Sequence, residues 1–153
     1  MASDALDSAQ KCLAIHSVHL NHCYAHVRPD FDPASYNKDE LVSQTFNALQ
    51  SVDALEFEGE NSSGYRFVYL LGFRLAGKEE DLDVKDYIPK FEIVGGFCAK
   101  YRSKRELSSD EIKAFSQDNV AYHVWPYWRE YLQSTAARMG LKEIIDVPMY
   151  RIK

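Results

Sequence analysis

The chain has no long apolar run, no excess of positive charge and few of the residues that staple or break a fold. Its 153 residues include only seven glycines, five prolines and three cysteines. Cys12, Cys23 and Cys98 are an odd, widely spaced set, which excludes the dense disulfide framework of small secreted domains, and reduced thiols are expected. Acidic residues outnumber Lys and Arg by 23 to 18, with the two signs mixed along the chain, so no basic stripe is available to neutralise phosphates and nucleic acid is not expected as a partner. The first ten residues carry Asp4 and Asp7 and lack both the basic start and the apolar stretch of a secretory signal or membrane anchor. A cytoplasmic location without membrane insertion is therefore expected. Neither a GxSxG elbow nor a dinucleotide-type glycine loop occurs; Gly95 and Gly96 follow a strand pattern without it.

What the chain has in quantity is aromatic side chains. They make up 13% of residues, ten of them tyrosine, and tyrosine and tryptophan favour surfaces that are half apolar and half wet. At 46% hydrophobic, residues 1–153 suit one domain with a real core.

Alternation predicts a strand over residues 15–27, with Val18, Leu20, His22, Tyr24 and His26 on one face. Residues 28–43 hold two prolines and several Asp, Asn and Ser residues, which predicts a long irregular crossover containing a short turn. A second strand is predicted within residues 44–58. After turn chemistry at 59–64, a third runs through Tyr65, Phe67, Tyr69, Leu71, Phe73 and Leu75, all on one face. A charged loop, residues 77–86, leads to a fourth strand through Phe91, Ile93, Phe97, Ala99 and Tyr101, where Gly95 and Gly96 signal a bulge or a close backbone approach. Ser108 and Glu111 form a capping-box pair opening one long helix, or two end to end with a second start at Asp118 or Asn119, over residues 109–139; Pro126 predicts a kink or a break near Tyr122 to Pro126, and Gly140 a stop. The ending VPMYRIK is expected to lie extended against the body. Strands in succession followed by helix give an α+β fold: a four-stranded antiparallel sheet, a long crossover after the first strand, and a long C-terminal helix on one face. One helix covers only one face, so an apolar stripe on the other calls for another subunit or a ligand.

Cys12, His16, His19, His22, Cys23 and His26 are the densest set of potential ligands. Along an extended strand they divide between two faces and lie too far apart for one ion with bonds of ~2.0–2.3 Å, so no metal and no cofactor are expected. Cys98 has no histidine nearby in sequence, and the acidic run at Glu79, Glu80, Asp81 and Asp83 is a solvated charge cluster. No catalytic residue is assigned.

The helix and ending, NVAYHVWPYWREYLQSTAARMGL followed by VPMYRI, resemble the SecB family of protein-export chaperones. The resemblance is carried by Trp125, Pro126, Tyr127, Trp128, Arg129 and Glu130, then Ala137, Arg138 and Gly140, then Val147 and Pro148, with FEIVGGF at 91–97 similar to a strand of that family. It implies a homotetramer built as a dimer of dimers that holds unfolded polypeptides in apolar grooves without ATP. Glu92 would then match an acid that contacts the SecA translocase motor. The chain ends without the further helix and acidic extension of export forms, and short-tailed relatives include holders of antitoxins, so clients could be export precursors or an antitoxin. Phe31, Tyr36, Tyr65, Phe67, Tyr69, Phe73, Trp125 and Trp128 are the expected groove residues, and Tyr127, Tyr131, Phe97 and Tyr101 the expected oligomer contacts. The competing expectation is a small-molecule binder or enzyme whose aromatic residues line one deep pocket with convergent polar groups.

Overall fold

The computed structural model describes residues 2–58 and 62–150. Its order is α1 (Ala2–Cys12), β1 (Leu13–Val27), β2 (Leu41–Phe57), β3 (Ser62–Gly77), β4 (Phe91–Ser103), α2 (Ser109–Phe115) and α3 (Ala121–Arg138). The strands form one antiparallel sheet in the order β1-β4-β3-β2, and the crossover at residues 28–40 carries β1 and β2 to opposite edges, with a 3-10 turn at Lys38–Glu40. No helix among the described residues is long and apolar enough to cross a membrane. The expected turn at 59–64 falls partly outside the described residues, as do the last three residues of the ending.

The helical face of the sheet is built by the alternation seen in the sequence. Phe67, Leu71, Phe91, Ile93, Ala99 and Tyr101 bury on that side against Val124, Trp128, Leu132 and Ala136 of α3. Burial of such side chains is worth about 1.5–3 kcal/mol each for the aliphatic and phenyl groups, and this layer is the main stabilising contact.

Three details depart from expectation. The alternation of β1 does not stay on one face: its pairing with β4 slips at His16 and at Asn21, and each extra residue reverses the parity of the positions after it. Val18 and Leu20 therefore face the helices, whereas His22, Tyr24 and His26 face away, together with His19. The bulge lies on β1, and Gly96 opposite provides the close approach, since a Cβ there would stand 2.1 Å from the His22 ring.

The helix is irregular one turn before the expected place. Ser116–Val120 is a π-helical turn, and α3 runs unbroken through Pro126. The buried positions explain it: Phe115, Val120, Val124, Trp128, Leu132 and Ala136 all face the sheet, and the first step is five residues where the others are four. A straight α-helix would swing the segment off the core, and the widened turn absorbs the extra residue. Pro126 and Tyr122, whose carbonyl loses its helical partner, are both exposed, on the side of α3 away from the core.

The third departure is α1, which the sequence reading did not assign. Its Ala9 is fully buried, Ser8 Oγ accepts from Arg105 Nη2 at 2.7 Å, and Gln10 Nε2 donates to Asn119 Oδ1 at 2.9 Å, so it docks on the α2 end of the layer. The capping box at Ser108 and Glu111 is present as expected, and Arg105 forks onto both Glu111 carboxylate oxygens at 3.0 and 2.6 Å.

Arg28 ties the start of the crossover to the loop at residues 78–90. It donates to Asp30 at 2.6 Å, to Glu80 Oε2 at 2.6 Å and to the Ile88 carbonyl at 2.8 Å, while Tyr87 donates to Glu80 Oε1 at 2.6 Å. The Arg28 guanidinium, then the Tyr87 hydroxyl, hold the Glu80 carboxyl down to about 2 from its ordinary 4.5. Because the folded value lies below the unfolded one, this stabilisation is complete above about pH 4.5 and is lost as pH falls toward 2. The drop in thermal midpoint between pH 6 and pH 3 is expected to be smaller in Glu80→Gln than in the wild type; equal drops would remove Glu80 from the acid response.

Candidate functional site: clefts beside the C-terminal segment

After α3 the described residues form no further helix. Gly140 adopts φ 81°, and the Leu141 amide returns to the Ala136 carbonyl at 3.1 Å, a left-handed stop that only glycine takes without strain. Residues 141–150 then run extended along α3 and past the crossover, as the proline-containing ending predicts. Val147 is buried, Ile145 and Tyr150 are half-buried, and Ile144 and Met149 are 88% and 78% exposed.

The segment walls two clefts. One, of about 430 Å³, lies between its first half and the sheet edge, lined by Tyr36, Leu41, Phe73, Leu75, Leu141 and Ile144. Beneath it Phe31 packs on Tyr36 with ring centroids 5.4 Å apart, and on Phe91 at 6.5 Å. Lys142 fixes the start of the segment: its ammonium sits 4.3 Å from the Tyr36 ring centroid and donates to the Tyr36 carbonyl, and its amide donates to the Pro33 carbonyl at 2.9 Å. Burial, then the charge of Glu143, pushes the Tyr36 hydroxyl above its ordinary range, so it stays a neutral phenol.

The second cleft, about 570 Å³, lies between the second half and α3, lined by Tyr122, Trp125, Pro126, Gln133, Met149 and Tyr150. His123 also reaches it, bonded through Nδ1 to the hydroxyl of buried Tyr101 at 2.9 Å and held toward the neutral form by desolvation. A third hollow, about 510 Å³, separates β2 from α2 and is lined by Leu49, Tyr69 and Ile112, with Tyr69 donating to Asn47 at 3.1 Å.

The eight aromatic residues expected to form a groove therefore divide. Tyr36, Phe73, Tyr69 and Trp125 line clefts. Phe73 and Tyr69 show little surface there, at 7% and 6% exposed, so Tyr36 and Trp125 are the more open of the four. Phe31, Tyr65, Phe67 and Trp128 line none of these clefts and lie in the core beneath, and the Tyr65 hydroxyl accepts from the Leu107 amide at 2.8 Å. Of the expected oligomer contacts, Tyr127 is exposed and Tyr131 half-buried, whereas Phe97 and Tyr101 are buried under α3. Ile15 and Leu20 on β1 are also exposed large apolar residues, on the helical side of the sheet. Sequence reasoning missed Ile144, Met149, Leu49 and Phe46; the one local signal was the apolar alternation of the ending.

The opposite sheet face is mixed. The register sets Tyr24, Val94, Gly72 and Phe46 in one row, and the Phe46 ring lies over Gly72, where a Cβ would stand 1.9 Å from it. In the next row Glu92 lies between His26 and Arg74, and Arg74 Nε donates to Gln44 at 2.6 Å. Cys98 is buried, and desolvation raises its thiol, which disfavours the thiolate. Among the described residues no group of three or more His, Cys, Asp or Glu could hold a metal ion.

No protein-family model and no curated protein matches the sequence. Among solved structures, the chain is similar to a SecB-like chaperone of Mycobacterium tuberculosis, in complex with a ChAD peptide from the HigA1 antitoxin. The likeness covers 96% of this chain and 98% of that one, at a TM-score of 0.70 and 14% sequence identity. The chain thus has the fold of the SecB-like chaperones: a four-stranded antiparallel sheet backed on one face by a long C-terminal helix.

Proposed function

We propose that this protein is an ATP-independent holdase that takes extended, apolar segments of unfolded polypeptides into the clefts flanking its C-terminal segment. The observation that carries this reading is the pair of open clefts in which aromatic and aliphatic side chains are mixed with charged ones such as Lys38, Asp146, Arg129 and Glu130, rimmed by side chains as exposed as Ile144 and Met149, in a chain whose own core is already filled. Such surface is costly to leave in water and has a use only when something covers it. Tyr36, Phe73, Tyr69 and Trp125 make the client contacts; Phe31, Tyr65, Phe67 and Trp128 support them from below. The peptide-bound state of the structurally similar chaperone supports a peptide ligand and makes an antitoxin one candidate client beside export precursors. Glu92 remains the candidate contact for the SecA motor, and its neighbours His26 and Arg74 would bear on that docking. Exposed Ile15, Leu20 and Tyr127 are the surface through which copies assemble, and a homotetramer is the expected state.

The small-molecule reading is less well supported, because the clefts are open rather than enclosed. The test is suppression of light scattering from a chemically unfolded protein, without nucleotide, with the oligomeric mass measured in the same buffer. Suppression near one tetramer per client is expected; a well-folded oligomer that suppresses nothing would sink the reading.

A further inference from the structure

Residues 141–150 have no ladder or helix to satisfy their main chain, yet two of their carbonyls are bonded by side chains of α3. Gln133 Nε2 donates to the Ile145 carbonyl at 3.0 Å, and Trp125 Nε1 donates to the Pro148 carbonyl at 2.6 Å. Between these bonds Val147 is buried, and the Tyr150 ring packs against Trp125 at 5.4 Å. Tyr150 also donates to the Gln117 carbonyl on the π-helical turn at 2.9 Å. Ile144, Asp146 and Met149 are exposed and edge the two clefts. Side-chain donors on main-chain acceptors, with spaced apolar pegs, are the means by which a rigid surface takes an extended peptide of variable sequence.

We propose that α3 carries a peptide-binding cleft occupied in this state by the chain's own C-terminal segment. A client displaces that strap by repeating its pattern: an aliphatic residue, a valine–proline pair, and an aromatic residue. The strap is the common wall of the 430 and 570 Å³ clefts, so its departure would join them into one channel from the crossover to the start of α3. Its far half is held by the Pro148 and Tyr150 hydrogen bonds and the Tyr150–Trp125 contact, with Val147 as its one buried residue among those described. Its near end is pinned by Lys142 to Pro33 and Tyr36, which leaves a hinge at the root. The site on α3 stands on this geometry; its use by clients rests on the holdase reading.

The probe is a fluorescein-labelled synthetic peptide with the sequence of residues 143–150, titrated into the full-length protein. The wild type, with its cleft occupied, is expected to bind at least ~10-fold more weakly than Val147→Asp, whose strap loses its buried peg, because apparent affinity scales with the fraction of open sites. Adding Gln133→Leu to Val147→Asp should reverse most of the gain. A chain ended at Lys142 gives the same reading should Val147→Asp unfold. Equal binding by wild type and strap variants, or no binding by either, overturns the proposal. An unfolded client is then added as competitor. Displacement of the peptide supports both readings, a peptide bound but not displaced overturns client use of this cleft, and a client held equally by wild type and strap variants without peptide binding overturns the strap alone.

Discussion

Trp128→Ala is expected to remove about 3–5 kcal/mol of stability, the cost of truncating a buried aromatic whose cavity cannot collapse. The ring is 3% exposed and packs toward Tyr131 at 6.3 Å. A Cβ on Gly95 would come within 3.4 Å of the indole, so the glycine is where the sheet makes room for it. Loss of the ring would leave helix and sheet without their central contact, and urea denaturation would show a lower midpoint. Trp125, three residues earlier, is half-buried and spends its indole N–H on the Pro148 carbonyl. Trp125→Ala should cost much less stability but weaken client binding with the assembly intact. Comparable destabilisation by the two variants would contradict the division into core and cleft residues.

Gly64→Ala is expected to be the second most damaging single change, at about 3 kcal/mol, the upper end of the overpacking range. A Cβ at Gly64 would lie 1.8 Å from the Tyr101 carbonyl oxygen and 2.9 Å from its carbon, both main chain, so relief requires β3 and β4 to part. Tyr101 is fully buried and bonded to His123, so the disturbance reaches the underside of α3. The thermal midpoint should fall by roughly 6–12 °C, at ~2–4 °C per kcal/mol for a domain of this size. Gly72→Ala is the contrast, because the obstacle there is the Phe46 ring, the end of a movable side chain. A Gly64→Ala protein as stable as Gly72→Ala would refute the claim that β3 and β4 meet too closely for a side chain.

The sheet was legible where alternation is long and uninterrupted. Tyr65 to Leu75 gave β3 and its buried face from spacing alone, and Ser108 with Glu111 located the start of α2. β1 was legible as a strand but not in its faces, because Asn21 is an ordinary polar residue and nothing local marks it as the extra residue of a bulge. The π-helical turn is hidden for a similar reason: the five-residue step from Phe115 to Val120 reads as noise in a 3.6-residue pattern until the partner sheet is known. Pro126 suggested a kink because the sequence does not say that its side of α3 faces water.

The site was legible in composition more than in position. An aromatic surplus pointed to recognition, and Tyr36, Phe73, Tyr69 and Trp125 do reach clefts. Phe67 and Trp128 carry the same aromatic signal, yet they lie where sheet and helix meet, and only the tertiary arrangement separates those positions from the cleft walls. Ile144 and Met149 were overlooked because the apolar alternation of so short a segment does not mark it as a cleft wall; its place comes from Gln133 and Trp125, which hold it.

Hydrogen exchange of the full-length protein, with and without a bound unfolded client, tests the account most directly. Changed protection is expected along residues 141–150, the crossover at residues 28–40 and the exposed flank of α3, with the β3–β4 ladder unaltered. A client that binds while leaving those segments unchanged, and alters only the opposite sheet face, would contradict it.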